Sequence, residues 1–434
     1  MRKKWLTTLL AAGGIALLAG CQGSTEEASP TQAPVEATAT PLPTEAPTAT
    51  PAPERTIVPA WTDYLTEEDM HTASPWKVCD NTALAAVMKK AEAGEPITIA
   101  TIGGSITQGS ISSGPLDSEI KTRACYADIF FSWWKETFPE VEVTVVNAGI
   151  GGTDSYLGVH RVQEHVLDYH PDLVLIEYSV NDGGNNSYKN SYDNLVRKVL
   201  KSEDAPAVLL LFMGQTNLNS AQSVHQLIGF NYELPMVSHL NLLSDFYESG
   251  RYTAEELSGD VSHPSVFGHA LVGEMLWKYL NNVYAELDSY GEPVPFDKKA
   301  VTKERYQNAE MVGIGDITPD ALGTFTETAN DFNGWGKVWS TTEGDGEITF
   351  TVTCRNLGIL FWRSTSGKYG MYEVWVDGEH KANLQAQFLD GWGAYAYSQE
   401  IFVSEEEAEH TVTIKRSEKS EGDDFALLRL LLSH

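Results

Sequence analysis

Four apolar runs, each ending in a polar loop, constrain this chain more than any other feature. Ile97–Ile102 stops at Gly103-Gly104-Ser105, and Val141–Val146 passes into Asn147-Ala148-Gly149-Ile150-Gly151-Gly152-Thr153-Asp154. Asp172–Ile176 leads into Glu177-Tyr178-Ser179-Val180-Asn181-Asp182, and Ala207–Phe212 closes the series. Each run is short, apolar and bounded by turn residues, which predicts a strand. Helical periodicity lies between them at 82–93, 126–138, 156–169 and 192–200, with a last helix at 264–286. Strands alternating with helices predict a parallel sheet covered on both faces. Sheets of this kind bind ligands at the carboxyl ends of their strands. Ser105 stands at such an end and is the candidate nucleophile.

A serine hydroxyl is a poor nucleophile until a neighbouring imidazole takes its proton. The imidazole in turn needs a carboxylate to fix its tautomer and stabilise its charged form. Asp260-Val261-Ser262-His263 supplies both groups from one loop. The oxyanion of an acyl-transfer intermediate needs N–H donors. The Gly151-Gly152 loop offers backbone donors with no Cβ in the way, and Asn181 offers a side-chain amide. Structural alternatives stand beside these roles: Ser105 as a helix cap, and Asp260 as an N-cap with His263 held by a carbonyl. Glu177 and Asp182 read as loop braces. Thr107 rules out the Gly-x-Ser-x-Gly elbow of α/β-hydrolases. The remaining histidines show no metal-ligand spacing, and no motif asks for a cofactor.

Four blocks in order carry a family resemblance across 97–286. Gly103-Gly104-Ser105-Ile106-Thr107 resembles the first block of SGNH/GDSL hydrolases, although Gly104 replaces the Asp of the literal motif. Asn147–Asp154 resembles the second, Val180-Asn181-Asp182 the third, and Asp260-x-x-His263-Pro264 the last. The resemblance implies a flavodoxin-like α/β/α fold, with Ser105 as nucleophile, His263 as base and Asp260 orienting it. It implies an oxyanion hole made of the Ser105 N–H, the Gly152 N–H and the Asn181 side chain. The choice of Gly152 over Gly149 or Gly151 rests on alignment to that block.

The termini differ in character. Arg2-Lys3-Lys4, an apolar stretch at 6–18 and Leu18-Ala19-Gly20-Cys21 resemble a bacterial lipoprotein signal, with Cys21 the lipidated residue over 1–21. Residues 22–59 are rich in Pro, Thr and Ala and read as a disordered tether. In polyproline form it would reach on the order of 100 Å. The hydrolase domain is expected over 60–295. Residues 296–434 carry short β runs at 347–354, 357–362, 372–376, 399–403, 410–414 and 425–432, with a hairpin turn at Asp377-Gly378. They predict an antiparallel, jelly-roll-like sandwich. Cys79, Cys125 and Cys354 allow one disulfide at most if Cys21 is lipidated.

A balance of 60 acidic against 30 basic residues disfavours nucleic acid and anionic membrane surfaces as partners. The expected location is the outer face of a bacterial cell membrane, held through the lipid alone. The Gly-Gly-Ser-Ile-Thr and Tyr-Ser-Val-Asn-Asp-Gly variants resemble esterases that deacetylate plant mannan or xylan. Trp335, Trp339, Trp362, Trp375 and Trp392 are candidates for a sugar platform, with one or two expected at the surface and the others in the core. An acetylated carbohydrate is therefore the expected substrate. A peptidoglycan O-acetyl esterase or short-chain lipase is the second enzymatic reading, and a non-catalytic glycan-binding protein the reading of another class.

Overall fold

The computed structural model describes residues 55–112 and 125–434, so the leader, Cys21 and most of the tether lie outside the described residues. Five parallel strands form the first sheet: β1 (Ile97–Gly103), β2 (Val143–Gly149), β3 (Leu173–Glu177), β4 (Ala207–Phe212) and β5 (Met236–Ser238). Their order is β2-β1-β3-β4-β5, with the reversal of direction between β1 and β3. Successive side chains of a strand point to opposite faces. Thus Ile97 and Ile99 join Leu173, Leu175, Leu209 and Leu211 in one core, while Ala100 and Ile102 join Val174, Ile176, Val208 and Leu210 in another. Helices Thr82–Glu92, Tyr126–Thr137 and Val266–Ala285 cover the first face, and Ser155–His165, Asn186–Leu200 and Gln222–Tyr232 the second. Trp133 and Trp134 are fully buried in the first core.

The first described residues, from Arg55 on, are held against the hydrolase helices. Arg55 bonds Glu92 at 2.8 Å and Asp288 at 2.7 Å, and the Val58 carbonyl accepts from Trp277 Nε1 at 2.9 Å. The cause is local: Ile57 and Val58 restore apolar side chains before the Pro-rich composition has ended.

The second domain is one continuous antiparallel network of nine strands. Two of them are longer than their sequence suggests. Glu347–Arg363 and Tyr395–Arg416 run for 17 and 22 residues and pair along their length, with register shifts at Cys354/Asn356 and Leu357/Gly358. Bulges of this kind absorb extra residues and bend the strand without ending it, so pairs of runs read as separate strands are each one strand. Asp377 and Gly378 form the expected two-residue turn, with φ of 53° and 79° between paired Val376 and Glu379.

The two domains share a core. The strand Phe425–Ser433 turns Phe425, Leu427, Leu430 and Leu432 into the β domain's own interior, and Ala426, Leu428 and Leu431 onto the hydrolase helices. Helices Ser155–His165 and Asn186–Leu200 are contact elements on the hydrolase side, the first through Tyr156. The Tyr156 hydroxyl lies 2.1 Å from where a Cβ of Gly358 would stand, so only glycine lets the strand approach this closely. Cys79, Cys125 and Cys354 are all free, each in a different core.

Candidate active site

The loops after β1, β2 and β3 meet the loop that precedes the last long helix. Ser105 begins a short helix, Ser105–Gln108, directly after β1 and Gly104. Its Oγ lies 2.9 Å from His263 Nε2. His263 Nδ1 lies 3.0 Å from Asp260 Oδ2, while Asp260 Oδ1 accepts the N–H groups of Ser262 and His263, each at 2.7 Å. A carboxylate only accepts, so Nδ1 carries the proton and Nε2 presents a lone pair to the serine hydroxyl. Burial pushes the Asp260 carboxyl up, but the His263 N–H, the imidazole and the Ser262 N–H outweigh it and hold the group below the usual carboxylate range. The three groups form a relay from carboxylate to hydroxyl, which is the arrangement nucleophilic acyl transfer needs.

The candidate oxyanion donors converge on the same cleft, which Ser105, Gly152, Asn181 and His263 all line. Of the glycine amides after β2, that of Gly149 is taken by Asn147 Oδ1 at 3.0 Å and that of Gly151 by Gln108 Oε1 at 2.8 Å. Among the described residues the Gly152 N–H has no acceptor, and its φ of 73° is one that favours glycine. The Ser105 N–H, in the first turn of its helix, has no intrahelical acceptor. Asn181 packs against Gly104, where a Cβ would meet Oδ1 at 2.4 Å.

Beneath these groups lies a layer that the sequence reading missed or left unassigned. Arg161 is fully buried and donates to the carbonyls of Ala148 and Gly103 at 2.7 and 3.1 Å and to the Tyr178 hydroxyl at 2.8 Å. It pins the ends of β1 and β2 to the loop after β3. Glu177, the last residue of β3, is buried, and its Oε1 accepts from the Ser179 N–H at 3.0 Å while Oε2 has no partner among the described residues. Burial pushes Glu177 up to about 7, against the hydrogen bonds from Ser179. The folded state therefore holds a proton that the unfolded chain releases near pH 4.5. The stabilising contribution is complete below that pH and is lost, at about 1.4 kcal/mol per pH unit, as pH rises toward 7. Glu177→Gln, which keeps the Oε1 acceptor, is expected to raise the melting temperature at pH 8 and leave it nearly unchanged at pH 4. Equal shifts at both pH values would contradict this.

The far wall of the cleft comes from the second domain. Trp335, Trp362, Trp392 and Tyr395 face Ser105 and Gly152 across a cavity of about 640 Å³. A Cβ on Gly152 would stand 2.8 Å from Tyr395 and 3.1 Å from Trp392. Arg363 braces this wall, bonding the Tyr395 hydroxyl at 3.1 Å and lying over the rings of Phe388 and Tyr397 at 4.4 and 4.8 Å. Of the five tryptophans named from sequence, Trp392 is 69% exposed at the cleft, and Trp335 and Trp362 also line it. Trp339 is core, and Trp375 lies under Lys415, apart from the cleft.

Comparison with known proteins bears directly on this geometry. The profile of the GDSL-like Lipase/Acylhydrolase family matches residues 101–271, which span β1 to the last long helix. A crystal structure of a two-domain esterase, CEX, described as active on acetylated mannans, is 32% identical, with a TM-score of 0.76 over 84% of this chain and 98% of that one. The chain belongs to the GDSL-like lipase/acylhydrolase family. A second CEX structure, co-crystallised with mannopentaose, gives 32% identity and a TM-score of 0.75 over 84% and 97% of the two chains. A search of curated protein sequences returned no match. This acylhydrolase is thus an esterase in which a parallel α/β domain precedes an antiparallel β domain, as in the CEX esterase. Its site is built by both.

Proposed function

We propose that this acylhydrolase removes O-acetyl groups from a mannan-type polysaccharide through an acetyl-Ser105 intermediate. The observation that carries the reading is the Asp260–His263–Ser105 relay opening onto an aromatic wall supplied by the second domain. Aromatic faces stack on the apolar faces of pyranose rings, and the described activity of the CEX esterase on acetylated mannans supports the same class of substrate.

Ser105 Oγ attacks the acetyl carbonyl while His263 Nε2 takes the hydroxyl proton, and Asp260 stabilises the imidazolium. The Ser105 N–H, the Gly152 N–H and the Asn181 amide receive the oxyanion, each worth about 3 kcal/mol in a well-placed hole. The tetrahedral intermediate collapses, and His263 gives the proton to the departing sugar oxygen, which leaves as a hydroxyl. Water, deprotonated by His263, then attacks the acetyl-serine and releases acetate. Substrate profiling tests the reading: acetate release from acetylated mannan and hydrolysis of 4-nitrophenyl acetate are expected, with little activity on 4-nitrophenyl octanoate. Preference for the octanoyl ester would sink it.

We further propose that Cys21 is lipidated and that the chain is displayed on the outer face of a bacterial membrane. Its basic, apolar and small-residue leader supports this. Cys21→Ala is expected to move the protein out of the membrane fraction; unchanged fractionation would contradict the anchor.

A further inference from the structure

We propose that the buried Asp182–His225 pair is a positioning device that holds two oxyanion donors, the Asn181 amide and the Gly152 N–H, in one register. The inference rests on the roles just given to Ser105, Gly152 and Asn181. Both side chains of the pair are completely buried, and His225 Nε2 lies 3.0 Å from Asp182 Oδ2. The other carboxylate oxygen, Oδ1, accepts the backbone N–H of Ser155 at 2.9 Å. Ser155 opens the helix that follows Gly152-Thr153-Asp154, and Asp182 is the residue after Asn181. A single carboxylate therefore ties the backbone that carries one donor to the loop that carries the other.

The pair is itself fixed. The Tyr192 ring stacks on His225 at 3.6 Å and 4°. Ala221, at the start of the His225 helix, donates its N–H to the Ser179 carbonyl at 2.7 Å. The Tyr178 carbonyl accepts the N–H groups of both Asn181 and Asp182, at 3.1 and 2.9 Å. A buried carboxylate is costly unless its acceptor capacity is filled. Here the Ser155 N–H and the imidazole give each oxygen one partner. The neighbouring Asp154, which caps the same helix through Leu157 at 3.0 Å, bears part of the cost: burial and the Asp182 charge push it up to about 6. Carboxylates crowded behind a catalytic loop, where the sheet core does not need them, mark a functional arrangement.

An oxyanion donor acts only once charge has formed on the substrate oxygen. Misplacing it removes transition-state stabilisation and leaves ground-state binding alone. Asp182→Ala is therefore expected to lower kcat on 4-nitrophenyl acetate by about 10–100-fold, up to the cost of losing one donor outright, with KM changed by less than about threefold. Inhibition by methylboronic acid, whose tetrahedral serine adduct needs the same donors, should weaken in parallel. Asp182→Asn, which keeps an acceptor for the Ser155 N–H, should lose less. A folded variant with wild-type kcat, or one whose KM rises at constant kcat, overturns the proposal. If the alanine variant does not melt cooperatively, Asp182→Asn and His225→Gln decide, and wild-type kcat in both overturns it. An inert wild type, or a Ser105→Ala chain as active as wild type, would instead overturn the underlying site reading.

Discussion

Ser105→Ala is expected to fold like the wild type and to lose ester hydrolysis by about a millionfold, the scale reached when a serine hydrolase loses its nucleophile. Among the described residues the Ser105 hydroxyl bonds only to His263 Nε2, at 2.9 Å, and braces no backbone group. Removing it deletes the attacking atom and leaves Asp260, His263 and the Gly104 turn as they are. The change also creates no buried unpaired charge, so the melting temperature should move by no more than about 2 °C. Steady-state hydrolysis of 4-nitrophenyl acetate, read beside thermal melting, checks both parts. Activity within tenfold of wild type in a folded variant would contradict the mechanism.

Gly152→Val is expected to cost about 10²–10³ in kcat, the scale for removing one oxyanion donor. Two effects act together. The φ of 73° at this position strains a β-branched residue. The new Cβ would also stand 2.8 Å from Tyr395 and 3.1 Å from Trp392. Either the loop shifts, carrying the N–H away from the oxyanion, or the aromatic wall gives way. In the first case kcat falls on every ester. In the second, KM for mannan oligosaccharides rises as well, while small esters are less affected. Paired kinetics on 4-nitrophenyl acetate and an acetylated mannan oligosaccharide separate the two. A variant within about threefold of wild type on both would show that this loop carries no donor.

The alternating architecture was legible because β1, β3 and β4 are buried on both faces and so read as apolar runs, while the edge strand β2, only partly buried, still shows its alternating valines. β5 was not, since Met236–Ser238 is three residues long and leaves no pattern to detect. Helices Gln222–Tyr232 and His239–Ser249 passed unread because their polar residues are themselves buried: His225, Gln222 and His239 face the interior. The long strands of the second domain were read as pairs because bulges interrupt their periodicity and, locally, their pairing, which resumes on the far side.

The candidate site follows the same division. Ser105 at a strand end and the Asp260-x-x-His263 spacing could be singled out from local sequence, whereas the choice of Gly152 among its neighbouring glycines, and the role of Asn181, rested on the family resemblance. Gln108, Arg161 and the Asp182–His225 pair act by meeting groups far away in the chain. A glutamine that occupies a glycine amide, or an arginine that binds three oxygens, looks like any other before the fold is known. The aromatic wall is the clearest case. Trp392 was named as a sugar-platform candidate, but its approach to Gly152 exists only because the two domains pack on a shared core, where Tyr156 meets Gly358.

The most direct test of the account is to quench the wild-type enzyme in acid during turnover of acetylated mannan and map the trapped adduct by peptide mass spectrometry. An acetyl group is expected on the peptide carrying Ser105, absent when turnover is complete and absent from Ser105→Ala. Rapid acetate release with no adduct on that peptide, together with an active Ser105→Ala chain, would contradict it.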